Sequence, residues 1–165
     1  MKRRTIILFA TAALLAAGLV TAAPAQAGTA QPGTAKGTME RAAAGTASRA
    51  SLAACVQRQR FQWTPTQYFN PGDCYQTPGA ALVMQFDGAL WLYFSDGSAC
   101  FTPTRGAFGA IAVFQEDGNL VIYYNGGPIW DSGTAGNYNA RLILRGDGTL
   151  LIRNEAGEVI WGAAC

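Results

Sequence analysis

Three stretches of the chain share one pattern of apolar and polar positions. Each has an alternating apolar run, then Asp-Gly, then a second alternating run, a Gly-containing turn and a third short run. In register at Asp87, Asp117 and Asp147, they repeat every thirty residues and read ALVMQFDGALWLYFSDGSACF, IAVFQEDGNLVIYYNGGPIWD and RLILRGDGTLLIRNEAGEVIW. Asp-Gly between two period-two runs is a strong hairpin signal, because glycine reaches positive φ without steric cost. The pattern therefore predicts an all-β domain in which each repeat forms three or four short antiparallel strands.

The second run of each repeat has one constant face and one variable face. The constant face is apolar in every copy and is predicted to point into the core; it carries Leu90, Leu92, Leu120, Ile122, Leu150 and Ile152. The opposite face reads Gln, Asp, Ala, Trp, Tyr in the first copy, Gln, Asp, Asn, Val, Tyr in the second, and Arg, Asp, Thr, Leu, Arg in the third. A repeat that keeps its inner face and changes its outer face is a scaffold whose outer face is free to differ.

The outer face of the second copy carries a specific set of alternating residues, Gln115, Asp117, Asn119, Val121 and Tyr123. They match Gln-x-Asp-x-Asn-x-Val-x-Tyr, the motif of the monocot mannose-binding, or bulb-type, lectins, which the sequence resembles over roughly residues 66 to 165. The GGPIW that follows also resembles the end of that family's repeat. The resemblance implies a type II β-prism, in which three four-stranded antiparallel sheets surround a pseudo-threefold axis. We expect a bacterial secreted member of the family.

The same resemblance implies a role for each of the five residues in binding mannose. Asp117 and Asn119 would hold the axial 2-hydroxyl, Gln115 the 3-hydroxyl and Tyr123 the 4-hydroxyl, while Val121 would pack on the ring carbons. Acids, amides and phenols on one rigid strand suit the adjacent, uncharged hydroxyls of a hexose. Taken singly, the aspartate is also explained as a turn residue and the tyrosine as a cross-strand packing partner.

The expected sugar affinity is low. Net hydrogen bonds of about 0.5 to 1.5 kcal/mol each must offset an association cost of at least ~4 kcal/mol. One site is therefore expected to bind a monosaccharide at about 1 mM. Useful avidity would need several sites on one particle, through homo-oligomerisation or through clustered mannose-containing glycans.

The other two copies match the motif less well. In the first copy Gln85, Asp87 and Tyr93 fit, but Ala89 and Trp91 stand where Asn and Val are expected, so this face is predicted to be a degenerate second site. In the third copy only the aspartate fits, and the Asp-Gly turn alone explains it.

The N-terminal part of the chain differs in composition from the repeats. Lys2, Arg3 and Arg4 precede an apolar run that ends in Ala-Gln-Ala, so residues 1–27 are predicted to be a signal peptide and the protein to be secreted. The alternative is a retained membrane anchor. Residues 28–51 are rich in Gly, Ala, Thr and Ser and are predicted to be a flexible linker or propeptide. Residues 52–165 form the predicted lectin domain.

Four cysteines, Cys55, Cys74, Cys100 and Cys165, lie inside that domain. In an exported protein an even count predicts two disulfides, and four cysteines allow three connectivities. The chain has no histidine and no CxxC pair, so we expect neither a metal site nor a cofactor. Cys100 stands near the position that Trp130 and Trp161 occupy in the other copies. By the resemblance, those tryptophans pack around the central axis, and the first repeat has replaced an aromatic with a disulfide.

Charge and composition argue against several function classes. From residue 52 onward six arginines face nine acidic residues, a net charge of −3, which does not favour nucleic-acid binding. An enzyme is not expected, since the acids sit mainly at turns and no Ser-His or Cys-His pair is available. The alternative to a plain lectin is a lectin-like bacteriocin or protein-interaction module on the same scaffold. Trp91 and three arginines would serve that second function: Arg141, Arg145 and Arg153. The purely structural explanation is that Trp91 caps a strand and that the arginines form a solvated face.

Overall fold

The computed structural model describes residues 35–42 and 54–164, which form fifteen β-strands and no helix. This part of the chain accordingly has no helix long and apolar enough to cross a bilayer. The predicted signal peptide, residues 1–27, lies outside the described residues. The strands in chain order are β1 Ala35–Lys36, β2 Glu40–Ala42, β3 Val56–Gln57, β4 Phe61–Trp63, β5 Gln67–Phe69, β6 Cys74–Gln76, β7 Ala80–Met84, β8 Leu90–Phe94, β9 Ala99–Phe101, β10 Ile111–Phe114, β11 Leu120–Tyr124, β12 Gly127–Asp131, β13 Arg141–Leu144, β14 Leu150–Arg153 and β15 Val159–Gly162.

The strands form three sheets, and each repeat supplies three consecutive antiparallel strands to one of them. Sheet I has the order β2-β9-β8-β7-β6-β3, sheet II the order β1-β12-β11-β10-β5, and sheet III the order β15-β14-β13-β4. The predicted all-β prism of three sheets is confirmed. Each sheet contains a four-stranded antiparallel unit, and β1, β2 and β3 extend sheets I and II beyond it.

The fourth strand of each unit comes from one short segment that precedes the repeats. Strand β4 pairs with β13, β5 with β10 and β6 with β7. In β4 the alternation of Phe61, Gln62 and Trp63 is buried, exposed, buried, so its two aromatic rings point inward. Trp63 packs edge-on against Phe69 of β5, with ring centroids 5.3 Å apart. This segment therefore ties the three repeats to one another.

The core lies between the three sheets. The inward residues of the second run are 0–1 % exposed in every copy, as the alternation predicts, and comprise Leu90, Leu92, Leu120, Ile122, Leu150 and Ile152. Trp130 and Trp161 pack edge-to-face with centroids 6.2 Å apart. Cys100 takes the equivalent place in sheet I, since it pairs with Leu92 as Trp130 pairs with Ile122.

Glycine is required in the Asp-Gly turns for two reasons. Gly118 has φ 82°, which side-chain-bearing residues rarely adopt. A Cβ at this position would also lie 2.2 Å from the carbonyl oxygen of Asn137. The same holds for Gly88, where a Cβ would lie 2.2 Å from the oxygen of Ala107. The turns are thus packed against the loop that leads to the next repeat.

Residues 35–42 differ from the flexible linker expected for residues 28–51. Strand β1 pairs in parallel with β12, and β2 pairs antiparallel with β9, so the segment crosses from sheet II to sheet I. Met39 is 5 % exposed and packs in the core. The indole N–H groups of Trp130 and Trp161 donate to the carbonyl oxygens of Thr38 and Gly37, at 3.3 and 2.7 Å. Composition alone misses this because one methionine and a few backbone groups hold the segment. The rest of 28–51 lies outside the described residues.

One predicted disulfide is described in full. Cys55 and Cys74 are bonded, with their Cα atoms 4.7 Å apart, and this bond occurs in only one of the three possible connectivities. Cys100 is also disulfide-bonded. Cys165 lies outside the described residues. The first disulfide joins the chain just before β3 to the start of β6, and so fixes the beginning of the domain to sheet I.

Candidate functional site

The five motif residues of the second copy lie on the outer face of sheet II. Gln115 and Asp117 belong to the tight turn after β10, which is closed by hydrogen bonds from the N–H of Gln115 to the oxygen of Asn119 at 2.8 Å and from the N–H of Gly118 to the oxygen of Gln115 at 2.9 Å. Val121 and Tyr123 follow on β11, with the core residues of the strand alternating between them. Hairpin geometry alone therefore places the predicted residues together.

The side-chain amide of Asn119 is held in one orientation by the segment that follows β12. Its oxygen accepts hydrogen bonds from the Ser132 hydroxyl at 3.0 Å and from the Thr134 N–H at 3.1 Å. Because a backbone N–H can only donate, the atom facing Thr134 has to be the oxygen. The amide nitrogen has no hydrogen bond to any described residue. Asn119 thus presents a fixed, unused donor.

Only one of the two carboxylate oxygens of Asp117 accepts a hydrogen bond from the described residues. Its Oδ1 accepts the N–H of Asn119 at 3.1 Å, which fixes the carboxylate beside the amide. Its Oδ2 has no hydrogen-bond or ion-pair partner among residues 35–42 and 54–164. Neighbouring positions therefore supply one free acceptor and one free donor, which is the combination that a sugar hydroxyl can satisfy with both its functions.

The far end of the motif is also organised in advance. Gln115 donates from Nε2 to the phenol oxygen of Tyr123 at 2.8 Å, which leaves the amide oxygen and the phenol proton for other partners. Val121 lies between Val113 and Asp131 on the neighbouring strands and is only 3 % exposed. It forms the floor of the face and offers little surface of its own.

The first copy has the same frame, but its aspartate is fully occupied. Asp87 Oδ1 accepts the N–H of Ala89 at 3.0 Å. The indole N–H of Trp91 lies 3.3 and 3.2 Å from the two carboxylate oxygens. The guanidinium of Arg105 forms an ion pair with Oδ2 at 3.3 Å. Neither carboxylate oxygen is left unengaged for a ligand.

An aromatic cluster covers the rest of the first face. Trp91 stacks with Tyr93, at 5.2 Å, and with Phe101, at 4.6 Å, and Arg105 lies over the rings of Trp91 and Phe101. Gln85 donates to the phenol oxygen of Tyr93. Burial, and after it the nearby carboxylate, raises the pKa of Tyr93 to about 12. The predicted degenerate residues are therefore brought together, but Trp91 and Arg105 occupy the carboxylate of Asp87.

The third copy lacks most of these features. Asp147 accepts the N–H of Thr149 at 3.0 Å and forms an ion pair with Arg145 at 3.2 Å. The hydrogen bonds from Thr149 lower the pKa of the Asp147 carboxyl. Thr149 has a hydroxyl where the second copy has its locked amide. The turn is thus retained without the motif.

The structure identifies supporting residues that the motif did not include. The hydroxyl oxygens of Ser132 and Thr134 lie 2.8 Å apart. Ser132 donates its proton to Asn119, and Thr134, which holds Asn119 through its backbone N–H, donates its hydroxyl proton to the oxygen of Gly118 at 2.7 Å. Thr102 and Thr104 form the same pair in the first copy, where Ala89 has no amide for them to hold. The sequence signal is two hydroxyl residues, two apart, after the third run, which the WGAA of the third copy lacks.

Metal binding receives no support from the described chain. Residues 35–42 and 54–164 contain no group of three or more His, Cys, Asp or Glu side chains placed to hold an ion. The motif residues of the second copy present amide, carboxylate and phenol groups.

Several solved lectin structures are similar to this chain. A monomeric monocot mannose-binding lectin from Gastrodia elata aligns with a TM-score of 0.56 and 27% identity, over 65% of this chain and 97% of its own. The mannose-specific agglutinin from snowdrop (Galanthus nivalis) bulbs, solved in complex with methyl-α-D-mannoside, aligns with a TM-score of 0.52 and 29% identity, over 59% and 90%. A lectin from Allium sativum aligns with a TM-score of 0.52 and 30% identity, over 59% and 94%.

Comparison by sequence adds nothing to this result. No protein-family model matches the chain, and no curated protein matches it. The similarity is therefore carried by the fold together with a moderate identity spread over the aligned domain.

Proposed function

We propose that this chain, whose fold is similar to that of the monocot mannose-binding lectins, is a carbohydrate-binding protein that recognises mannose-type sugars through the outer face of its second repeat. The observation that carries the proposal is that Asp117 Oδ2 and Asn119 Nδ2 are both left without a partner among the described residues. The other polar atom of each side chain, its Oδ1, is hydrogen-bonded and holds the side chain in place. Preorganised groups bind without a further entropic cost of ordering.

Each polar residue of the motif has a distinct part in the proposed complex. Asp117 accepts a hydrogen bond from a sugar hydroxyl, and Asn119 donates one to the same oxygen. Gln115 and Tyr123 engage the next hydroxyls through the amide oxygen and the phenol, which their mutual hydrogen bond leaves available. Val121 supports the face from below, and little of it is exposed for contact with the sugar ring.

The proposed site is weak and single. In the first copy the aspartate is already bonded to Trp91 and Arg105, and the third copy lacks the motif, so one site per chain remains. A few net hydrogen bonds give a dissociation constant of about 1 mM for a monosaccharide. Function then depends on avidity, supplied by a homo-oligomer or by dense glycans. The predicted signal peptide, residues 1–27, supports a protein that is secreted and meets such glycans outside the cell.

The proposal is tested by NMR titration of the protein with methyl α-mannoside and methyl α-galactoside. Mannoside is expected to shift resonances of residues 115–123 with a dissociation constant of about 1 mM, and galactoside to produce little change. Asn119→Ala removes the free donor and is expected to abolish saturation. Thr149→Ala, the equivalent change in the third copy, is the matched control and is expected to leave binding unchanged.

Two results would contradict the assignment. Equal shifts for both sugars would mean that the face does not select an axial hydroxyl. Undiminished mannoside binding by the folded Asn119→Ala protein would place any sugar site elsewhere on the domain.

A further inference from the structure

The outer face of sheet III carries an unusual concentration of positive charge. Four of the six arginines in residues 54–164 lie on it, and we call it the arginine face: Arg60, Arg141, Arg145 and Arg153. Strand alternation places them there, because the intervening Leu142, Leu144 and Ile152 are fully buried in the core. The same face contains a floor of Ile143 and Leu151, which are 3 and 4 % exposed.

The arginines are arranged in facing positions across the strands. Arg141 of β13 is the direct partner of Arg153 of β14. Leu144 pairs with Phe61, so Arg145 and Arg60 are the next residues along β13 and β4. Arg60 donates to the side-chain oxygen of Gln62 at 2.7 Å, which keeps it on the outer side with that residue. Like charges placed directly opposite each other destabilise a sheet.

Few anions in the described chain offset this charge. Asp147 pairs with Arg145 at 3.2 Å, and Arg145 remains half exposed. Arg153 donates to the carbonyl oxygen of Gly157 at 2.9 Å, and Arg141 has no hydrogen bond or ion pair among the described residues. Glu155 and Glu158, in the turn after β14, bond instead to the side chains of Asn139 and Asn154. The face therefore has a net charge of +3, on a domain whose described residues 54–164 sum to −3.

We propose that the arginine face is a second carbohydrate site, and that its ligand is an acidic oligosaccharide with carboxylate groups along a sugar chain. Arginine matches carboxylates with two parallel hydrogen bonds, and the facing pair of Arg141 and Arg153 lacks a counter-ion. The ligand anion relieves a repulsion that the fold itself leaves unrelieved. This site does not depend on the mannose-type site of the second repeat.

Several features favour a short acidic sugar over other anionic partners. The face spans one sheet of four strands, about 15 Å across from a strand spacing of about 4.8 Å, which suits an oligosaccharide. Thr149 is exposed, its backbone oxygen accepts the N–H of Arg145 at 2.9 Å, and its hydroxyl can bond a sugar hydroxyl. Nucleic acid and anionic membranes present long arrays of charge, which the net negative domain around the face would repel.

The test is an NMR titration of the protein with a galacturonic acid tetramer, with its fully methyl-esterified form as the neutral control of equal shape. The acid is expected to shift resonances of Arg141, Ile143 and Arg153, and to bind at least about tenfold more tightly than the ester. Its affinity is expected to fall as sodium chloride is raised from about 20 to about 300 mM, because exposed charges are screened.

Variants separate this site from the first one. Arg141→Gln with Arg153→Gln is expected to weaken acid binding about tenfold, since two exposed charge contacts are lost, and it relieves repulsion, so the fold is retained. Arg105→Gln removes one positive charge from sheet I, half the change made by the double variant, and is expected to leave acid binding intact. Asn119→Ala is expected to lose mannoside while still binding the acid, so the two proposals fail or succeed separately.

Three outcomes would overturn the proposal. One is equal binding of acid and ester. Another is an equal loss of acid binding in Arg105→Gln and in the double variant, which would indicate a general charge effect. The third is tighter binding of a short DNA duplex of equal charge, which would assign the face to nucleic acid.

Discussion

The outer faces of the first and second repeats are built on the same hairpin, with glutamine, aspartate and tyrosine at the same positions, and they differ in what surrounds the aspartate. In the second repeat Asp117 meets only the N–H of Asn119. In the first, Asp87 is bound by Trp91 and Arg105 as well. Whether such a motif can bind a ligand thus depends on its own residues and also on whether neighbouring side chains already occupy their polar atoms.

The difference also changes what each face contributes to the domain. The polar atoms of the first face satisfy one another and cover buried aromatic rings, so the face adds to folding stability. The second face leaves a donor and an acceptor unpaired, which contributes little to stability and preserves them for a ligand. The first repeat is therefore expected to respond to mutation through stability, and the second through binding.

The largest effect is expected when each aspartate is replaced by alanine. Asp87→Ala removes the partner of an indole N–H and of a guanidinium, and is expected to lower the free energy of unfolding by about 3 kcal/mol while leaving mannoside binding unchanged. Asp117→Ala loses only one turn hydrogen bond of about 1 kcal/mol, but is expected to weaken mannoside binding at least about tenfold. Urea unfolding and NMR titration measure the two quantities.

Either of two results would contradict the different roles of the two aspartates. If Asp87→Ala weakened mannoside binding, the first face would take part in the site. If Asp117→Ala destabilised the domain more than Asp87→Ala did, the charge pairs of the first face would not be stabilising.

A pH-dependent effect of intermediate size is expected from Tyr93. Burial raises its pKa from the ordinary tyrosine value of 10.0 to about 12. Because the folded pKa is the higher one, the folded state holds the proton that the unfolded chain releases. The associated stability is fully present below about pH 10 and is lost as pH rises toward about 12, by about 2 kcal/mol.

Urea unfolding of the wild type and Tyr93→Phe over that pH range measures this loss. The phenylalanine variant loses the hydrogen bond with Gln85, which changes its stability at every pH, but its profile is expected to fall less steeply. Identical slopes in the two proteins would show that this phenol is not the group responsible.

Local sequence pattern predicted the hairpins, the inward residues and the composition of the second-repeat face. These depend on alternation and Asp-Gly turns, which act within about ten residues. The place of Cys100 beside the core tryptophans also followed from the thirty-residue register. The assignment of the second face to sugar remains a proposal, because the fold does not depend on which residues it carries.

Contacts between distant segments could not be predicted in the same way. Strands β4, β5 and β6 are distributed over three sheets, and nothing in their short sequences specifies the partner of each. Residues 35–42 have the composition of a linker, yet they are held by hydrogen bonds from two indole N–H groups and by the burial of Met39 in the core. Asp87 forms an ion pair with Arg105, which lies eighteen positions further along the chain, so the local motif does not reveal that this carboxylate is occupied.

The smallest effect is expected from the hydroxyl residues behind the two faces. Ser132 fixes the Asn119 amide and also accepts the N–H of Leu120 at 3.0 Å, while Thr102 accepts the N–H of Leu90 at 3.0 Å in the first repeat. Ser132→Ala and Thr102→Ala are each expected to cost about 1 kcal/mol of stability, because each leaves one buried N–H unpaired. Only Ser132→Ala also removes one of the two hydrogen bonds that hold the Asn119 amide. It is expected to weaken mannoside binding by about threefold to fivefold, less than the loss of a whole hydrogen bond to the ligand. Equal mannoside affinity in the two variants would mean that Thr134 alone orients Asn119, and that the hydroxyl pair serves the fold in both repeats alike.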